Sequence, residues 1–500
     1  MSVSHMSDVL QTPALWRLAQ CIREHQEPWQ QSEFPPDLER FERELHDHVM
    51  AVERDLLADE RGRYDVTADE VTVEGVSSRR SLESSQTYVS AAGPITVTRH
   101  LYRPAGRRTK SLCPLELGAG IVQGLWTPRA ARQGALVMAH LTPRESALLF
   151  EALGGMQPAG STLDRLPKTL SARFEAQREV WEGALRAGET VPEEAAVLAI
   201  SLDGVMTPMV TVAPPHDAEA GHTAAETAAE SSSKRHSREA GCGTVTLYAA
   251  AGTRLATVRY GRMPAYKKAT LCAQLEAEGQ SILALRPDLT VVKLADGAEA
   301  NWRFLDHLDL GLDAAAREQG EQVSITAFYH GADHVQQACD VMWGAGSVES
   351  QAGFARLRTL RKEDATGVDK IIGRLRYRVS RRRGRQREQL EKALTYFRNQ
   401  RERMRYAAYQ QANLPIGSGV VEAACKTLVS SRLKRSGMRW GIAGGQAVLT
   451  LRSVMQSDRW ERAWFLLRND FRKLVTVIEA DGPKVLDPAA YSGSHLGTLR

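Results

Sequence analysis

Apolar and polar positions alternate with different periods along the chain. Over residues 7–60, Leu10, Leu15, Leu18 and Ile22 recur at helical spacing, which predicts amphipathic helix. Residues 86–90 and 95–102 are β-rich runs joined by Ala91-Ala92-Gly93-Pro94, which predicts a hairpin turning at Gly93-Pro94. Helical spacing returns over 127–180. Thr127-Pro128 reads as a helix start, with threonine as cap and proline in the first turn. Thr142-Pro143-Arg144-Glu145 reads as a second start with a capping box, and Gly154-Gly155 as its end. A third helix is expected from about Ser161 through Leu166 and Leu170. Three short helices suit a helix-turn-helix, and equally any small helical bundle.

From residue 196 the pattern changes to short apolar runs. Residues 196–202 predict a buried strand ending at Asp203-Gly204. Further strands are expected at 243–248, 254–260, 289–295 (ending at Asp296-Gly297) and 322–329, with helices at 266–284, 299–308 and 331–342. Antiparallel-type strands first and alternating strands and helices afterwards fit an RNase H-like mixed sheet better than a doubly wound one. Residues 213–240, rich in Pro, Ala, Glu, Thr and Ser, predict a disordered surface loop. Its His216, His222 and His236 read as solvated side chains more readily than as metal ligands. A helical segment is expected over 351–410, and a last helix from Gly419.

Composition narrows this picture. Five hundred residues allow several cores, and 43% hydrophobic with 25% charged residues is ordinary for a soluble globular chain. No run approaches the roughly 18 apolar residues of a membrane span, and residues 1–11 lack the pattern of a secretory signal, so a cytoplasmic protein without a membrane partner is expected. Six scattered cysteines with no CxxC pair suggest neither a disulfide framework nor a zinc ribbon. Charge is uneven. Residues 351–410 hold 18 Lys and Arg against 6 Asp and Glu, a balance of +12 in a chain totalling +5, so the rest carries −7. Such segregation points to a polyanion partner, or else to a solvated helix face.

Two strands share the ending apolar run, Asp, Gly. In open α/β sheets ligand sites lie at carboxyl strand ends, and a following glycine allows a sharp turn, although Asp-Gly is also a common turn on its own. Glu422 follows Pro415 and Gly417-Ser418-Gly419, in the first turn of a helix whose dipole favours an anion. Lys426, four residues on, makes either an ordinary surface pair with it or a phosphate contact beside a metal ligand. Asp203, Asp296 and Glu422 together suit two Mg2+ ions, with Mn2+ substituting, about 4 Å apart for phosphodiester chemistry.

The run Pro415-Ile-Gly-Ser-Gly-Val-Val-Glu-Ala-Ala-Cys-Lys, with Arg432-Leu-Lys-Arg-Ser-Gly-Met-Arg-Trp and Gly445-Gln-Ala-Val-Leu-Thr-Leu-Arg-Ser, resembles the ISKra-type insertion-sequence transposases of bacteria, which are distantly similar to the Mutator-like group. Ser201-Leu-Asp-Gly-Val, Leu294-Ala-Asp-Gly-Ala-Glu-Ala-Asn-Trp and Phe328-Tyr329-His330 extend the resemblance over roughly residues 195–465. It implies a DDE enzyme on an RNase H-like fold that cleaves terminal inverted repeats and joins them to target DNA. It also implies a homodimer on DNA and a nucleoid-associated location. Asp203, Asp296 and Glu422 would be the catalytic metal ligands. Lys426, Arg432, Lys434, Arg435 and Arg439 would contact phosphates, as would Arg381, Arg382 and Arg383 in an all-helical insertion. His330 and Trp440 would be auxiliary: His330 for a phosphate, Trp440 for a base or the core. The chain departs from the family pattern at Ala327, where the family carries an aspartate, and Cys113 stands where paired cysteines are common.

The expected fold class is α/β: an RNase H-like mixed sheet with an all-helical insertion, plus a mainly helical N-terminal region with a β-hairpin. The expected domains are 1–126, helical with the hairpin; 127–190, helix-turn-helix-like; 191–345, first catalytic part; 346–412, basic insertion; and 413–500, last catalytic part. Two rivals share these residues: a structure-selective nuclease on the same fold, and a transposase-derived DNA-binding protein that no longer cuts.

Overall fold

A computed structural model describes residues 13–29, 37–104, 110–210, 237–265, 268–311, 321–479 and 482–486. Most of the loop expected over 213–240, with its three histidines, lies outside these residues. The chain divides into two compact units, 1–177 with 461–500, and 178–460. This division differs from the expected one: residues 461–500 group with the N-terminal part instead of closing the catalytic part.

The first unit begins with helices α1 (Pro13–Trp29) and α2 (Leu38–Gly62), the latter capped by Asp37, whose carboxylate accepts the Glu39 N–H at 3.2 Å. Strands β1 (Glu70–Val73), β2 (Val76–Ser90) and β3 (Gly93–Pro104) follow, then α3 (Pro114–Ala119), α4 (Pro128–His140), α5 (Pro143–Leu153) and α6 (Gly160–Ala176). Thr127 caps α4, and Thr142 with Glu145 closes a full capping box on α5, as their sequence predicts. The hairpin turns two residues earlier than expected. Ser90 Oγ donates to Gly93 O at 2.7 Å and accepts the Ala92 N–H, so the turn closes over Ala91-Ala92. Gly93 takes the positive φ of +117°, and Pro94 pairs with Val89 inside β3. Proline is tolerated there because β3 is an edge strand.

The second unit starts with α7 (Arg178–Ala187). Strands β4 (Ala195–Pro208), β5 (Ser237–Ala249) and β6 (Arg254–Arg262) lead to α8 (Ala269–Leu285), β7 (Thr290–Ala295), α9 (Glu299–Asp306), β8 (Gln322–Thr326) and α10 (Phe328–Trp343). Then come α11 (Val348–Glu363), α12 (Gly367–Ser380), α13 (Gly384–Asn399) and α14 (Tyr406–Gln411). Helix α15 (Gly419–Ala424) continues through a π-helical turn (Cys425–Ser430) into Ser431–Leu433, and α16 (Ile442–Gln456) follows. The last elements, α17 (Trp460–Phe471), β9 (Val475–Glu479) and β10 (Gly482–Leu486), lie largely in the first unit, whose sheet has the order β10-β9-β1-β2-β3.

The second sheet has the order β6-β5-β4-β7-β8, with β6, β5 and β4 antiparallel and β7 and β8 parallel to β4. One face buries Val197, Ala199, Val292, Leu294 and Ile325 with the helices from α10 to α14. The other buries Leu198, Ile200, Leu202 and Val291 with Leu271 and Leu275 of α8 and Trp302 and Leu305 of α9. Both faces are covered, which is why these strands read as continuous apolar runs.

Three boundaries differ from expectation. Strand β4 does not end at Asp203; it runs on to Pro208 because β5 keeps pairing with it from Cys242 opposite Asp203 to Ser237 opposite Pro208. Residues 237–240 are therefore strand, not loop. Helix α10 starts at Phe328, so residues 327–329 leave the sheet earlier than the apolar run suggested. Among the described residues no helix is long and apolar enough to cross a membrane.

Candidate active site

The parallel ladders set the site. Leu202 of β4 is the register partner of Ala295 of β7, and Ala295 is the partner of Thr326 of β8. The next position on each chain is Asp203, Asp296 and Ala327. Alternation along a strand puts these three on the face opposite Leu202 and Ala295. Two carboxylates and one alanine thus form a row just past the last parallel-paired residues, where β7 and β8 end and β4 runs on beside β5. Ala327 is fully buried in the core, and its N–H donates to Ala295 O at 2.8 Å.

Each aspartate is held by neighbours. Asp203 Oδ1 accepts the Gly204 N–H at 2.7 Å, and Oδ2 accepts the Cys425 thiol at 3.5 Å. Burial raises the Asp203 carboxyl above the usual range; the Gly204 amide pulls it back, and the neighbouring Asp296 pushes it further up. Asp296 Oδ1 accepts the Ala298 N–H and the Asn301 amide, both at 3.0 Å, and Trp302 Nε1 donates to the Asp296 carbonyl at 2.6 Å. Glu422 sits in the first turn of α15, exposed. Its Oε1 accepts the Ser418 hydroxyl and lies 3.7 Å from His330 Nε2. Cys425, one turn further, is the contact by which α15 bears on Asp203. The helix becomes π-helical there, an irregularity often found at functional sites.

Neither glycine after an aspartate has a positive φ, so neither is there for a left-handed turn. They make room. A Cβ on Gly204 would lie 1.6 Å from Glu239 Oε1, and one on Gly297 would lie 2.2 Å from Cε2 of Tyr396. Tyr396 in turn stacks on His334, with ring centroids 3.8 Å apart.

Other expected site residues separate into surface and core. Lys426, Lys434 and Arg439 are exposed, and half-buried Arg435 donates to Ser431 O at 3.2 Å. Arg432 is buried, with its guanidinium over the Trp440 ring at 5.2 Å, so it packs this region together instead of facing solvent. Trp440 donates from Nε1 to Leu433 O at 2.9 Å and packs against the core. Arg381 and Arg383 are exposed between α12 and α13, and Arg382 is half-buried with Nη2 3.4 Å from Met342 O.

Sequence reasoning passed over Glu239, Lys268, Asn301, Cys425 and Tyr396. Asn301 had a signal, five residues after Asp296 where a new helix begins; Lys268 and Glu239 had none, because only folding brings them near. The donor chemistry suits a hard cation: Asp296 Oδ2 and Glu422 Oε2 are held by no hydrogen bond seen among the described residues. In this conformation Glu422 is turned to Ser418 and His330, and among the described residues no three His, Cys, Asp or Glu side chains are grouped closely enough to hold a metal ion.

No protein-family profile matches the chain, and neither does any curated protein. Among solved structures, the Drosophila P element transposase strand transfer complex is similar at 10% identity with a TM-score of 0.23, over 69% of this chain and 81% of that one.

Proposed function

We propose that this chain is a DDE transposase, with Asp203, Asp296 and Glu422 as its acidic centre. The observation that carries the reading is the register: Asp203 and Asp296 occupy equivalent positions on adjacent parallel strands, and the helix of Glu422 touches Asp203 through Cys425. The sheet order, three antiparallel strands followed by two parallel ones, supports an RNase H-like plan, and the helices after β8 stand as an insertion before α15. The substrate is DNA, namely transposon ends and a target, bound by a homodimer. The three carboxylates would hold two Mg2+ ions, or Mn2+, once Glu422 turns from Ser418 toward the aspartates. Ions in such a site activate water and neutralise charge on the attacking and leaving oxygens. The protein's own part is to fix the two aspartates side by side on β4 and at the end of β7, in the middle of the sheet, and to present cationic side chains to the DNA backbone.

Strand cleavage and joining with Mg2+ and inverted-repeat DNA test the reading. Asp203→Ala, Asp296→Ala and Glu422→Ala are each expected to abolish both steps. Full activity in all three variants overturns it, and cutting without joining favours a nuclease. Ala327, the third position of the carboxylate row, favours a second reading in which the protein binds ends without cutting. End binding with no cleavage under any divalent ion would identify that case.

A further inference from the structure

A polar chain outside the three expected acidic residues runs to Asp296. Glu239 of β5 lies across the backbone at Gly204, in the space a side chain there would fill. Its Oε1 accepts from Lys268 Nζ at 2.8 Å. The same ammonium donates to Asn301 Oδ1 at 3.1 Å, and Asn301 Nδ2 donates to Asp296 Oδ1 at 3.0 Å. Asn301 is 4% exposed, so water cannot readily replace either partner. Lys268 adopts a left-handed backbone, φ +52°, a conformation costly for a residue with a side chain.

We propose that Lys268 is a positioning residue for Asp296, acting through Asn301. An asparagine amide has one accepting and one donating end, and burial leaves only two ways to place it. With the ammonium against its oxygen, the nitrogen must face the carboxylate. The flipped amide would set oxygen against carboxylate and NH2 against ammonium, two repulsive contacts. Asp296 Oδ1 therefore takes two donors, Ala298 N–H and Asn301, and the carboxylate plane is fixed with Oδ2 left open. Glu239 is the counter-charge that keeps the ammonium in place, and Gly204 is what admits Glu239. This inference rests on the reading of Asp296 as a metal ligand, because only then does the direction of Oδ2 matter. Groups that orient metal-ligating side chains typically affect metal affinity strongly.

The experiment is calorimetric titration of the full chain with Mn2+, alongside thermal melting. Lys268→Met is expected to weaken Mn2+ binding roughly tenfold. Lys268→Arg, which keeps a cationic donor, is expected to recover most of that loss. Asn301→Leu should lose at least as much as Lys268→Met, and the double variant no more than Asn301→Leu alone, because the two residues act in series. Wild-type affinity in Lys268→Met, additive losses in the double variant, or a lowered melting temperature with unchanged affinity each overturn the inference. Asp296→Ala separates the two claims. If it binds Mn2+ as wild type does, or if the wild type binds none, the metal-ligand reading fails and the relay has nothing to position. If Asp296→Ala loses binding while Lys268→Met keeps it, the metal-ligand reading survives and the relay alone is wrong.

Discussion

The ring of Tyr396 occupies the volume that a side chain at position 297 would need, 2.2 Å from Cε2, and it is also stacked on His334, so it has little freedom to yield. Gly297→Ala is therefore expected to destabilise the second unit by about 1–3 kcal/mol, measured by denaturant unfolding. Gly204→Ala meets Glu239 along its length, with Cγ at 2.6 Å as well as Oε1 at 1.6 Å, so the whole side chain must take another rotamer. The cost is then the half-exposed Glu239–Lys268 pair, about 0–1 kcal/mol, plus about 0.5–1.5 kcal/mol if that rotamer is strained. The sequence pointed to both glycines, for sharp turning and for room beside the carboxylate, and it is room that Glu239 and Tyr396 take up. His334 adds a pH dependence. Burial lowers its pKa from the ordinary 6.5, with Asp333 opposing and His330 and Arg361 reinforcing the shift. A depressed folded pKa means the unfolded chain binds the proton more readily. Stability contributed by the neutral ring is whole above pH 6.5 and is lost as pH falls toward and through the folded value. His334→Phe keeps the stack without the titration. Its melting temperature should fall less than that of the wild type between roughly pH 7.5 and 5.5.

At the scale of elements, local chemistry was legible and partnership was not. The caps of α4 and α5 are written in adjacent residues, and both form as read. Thr142→Ala removes one half of the α5 capping box and should cost about 1 kcal/mol, visible as earlier thermal unfolding of the first unit. By contrast, the end of β4 depends on how long β5 stays beside it, and those residues lie across a long intervening segment. No local pattern encodes that, so Asp203 looked like a strand terminus when it is the point where β7 stops pairing and β5 continues. The hairpin erred for a similar reason: the side chain of Ser90, not the Gly-Pro pair, closes the turn. The placement of Glu422 at the start of α15 was readable from Gly417-Ser418-Gly419, but its partners were not. Of the two roles open to Lys426, the surface pair with Glu422 is not formed, and Glu422 turns to Ser418 and His330, the latter from another element.

Across the molecule, positive charge is gathered in one stretch, and the fold decides which part of it is available. Of the 18 Lys and Arg within 351–410, Arg361 alone is buried, its guanidinium 4.3 Å from the Phe328 ring and 5.3 Å from that of Tyr406. Several others are already matched: Lys370 with Asp364, Arg387 with Glu391, Arg401 and Arg405 with Asp369, and Arg403 with Asp306. Most of the rest, among them Arg356, Arg374, Arg376, Arg385, Lys392 and Arg398, are exposed with no carboxylate partner among the described residues, and the turn between α12 and α13 adds two more. Arg381 and Arg383 are exposed there, Arg381 lies over the exposed ring of Tyr377 at 4.7 Å, and neither pairs with a carboxylate among the described residues. Charge unmatched within the protein is what a phosphate backbone can neutralise, with release of counterions from the DNA. The effect of Arg381→Ala with Arg383→Ala should therefore appear mainly in the salt dependence of DNA binding. The slope of log K against log salt should become shallower by about 0.9 for each phosphate no longer neutralised, close to 2 in all, for any DNA sequence. Arg382, half-buried and near Met342 O, should change the slope less when replaced. Binding isotherms over a range of salt concentrations decide it. An unchanged slope in the double variant would place the DNA away from the turn between α12 and α13.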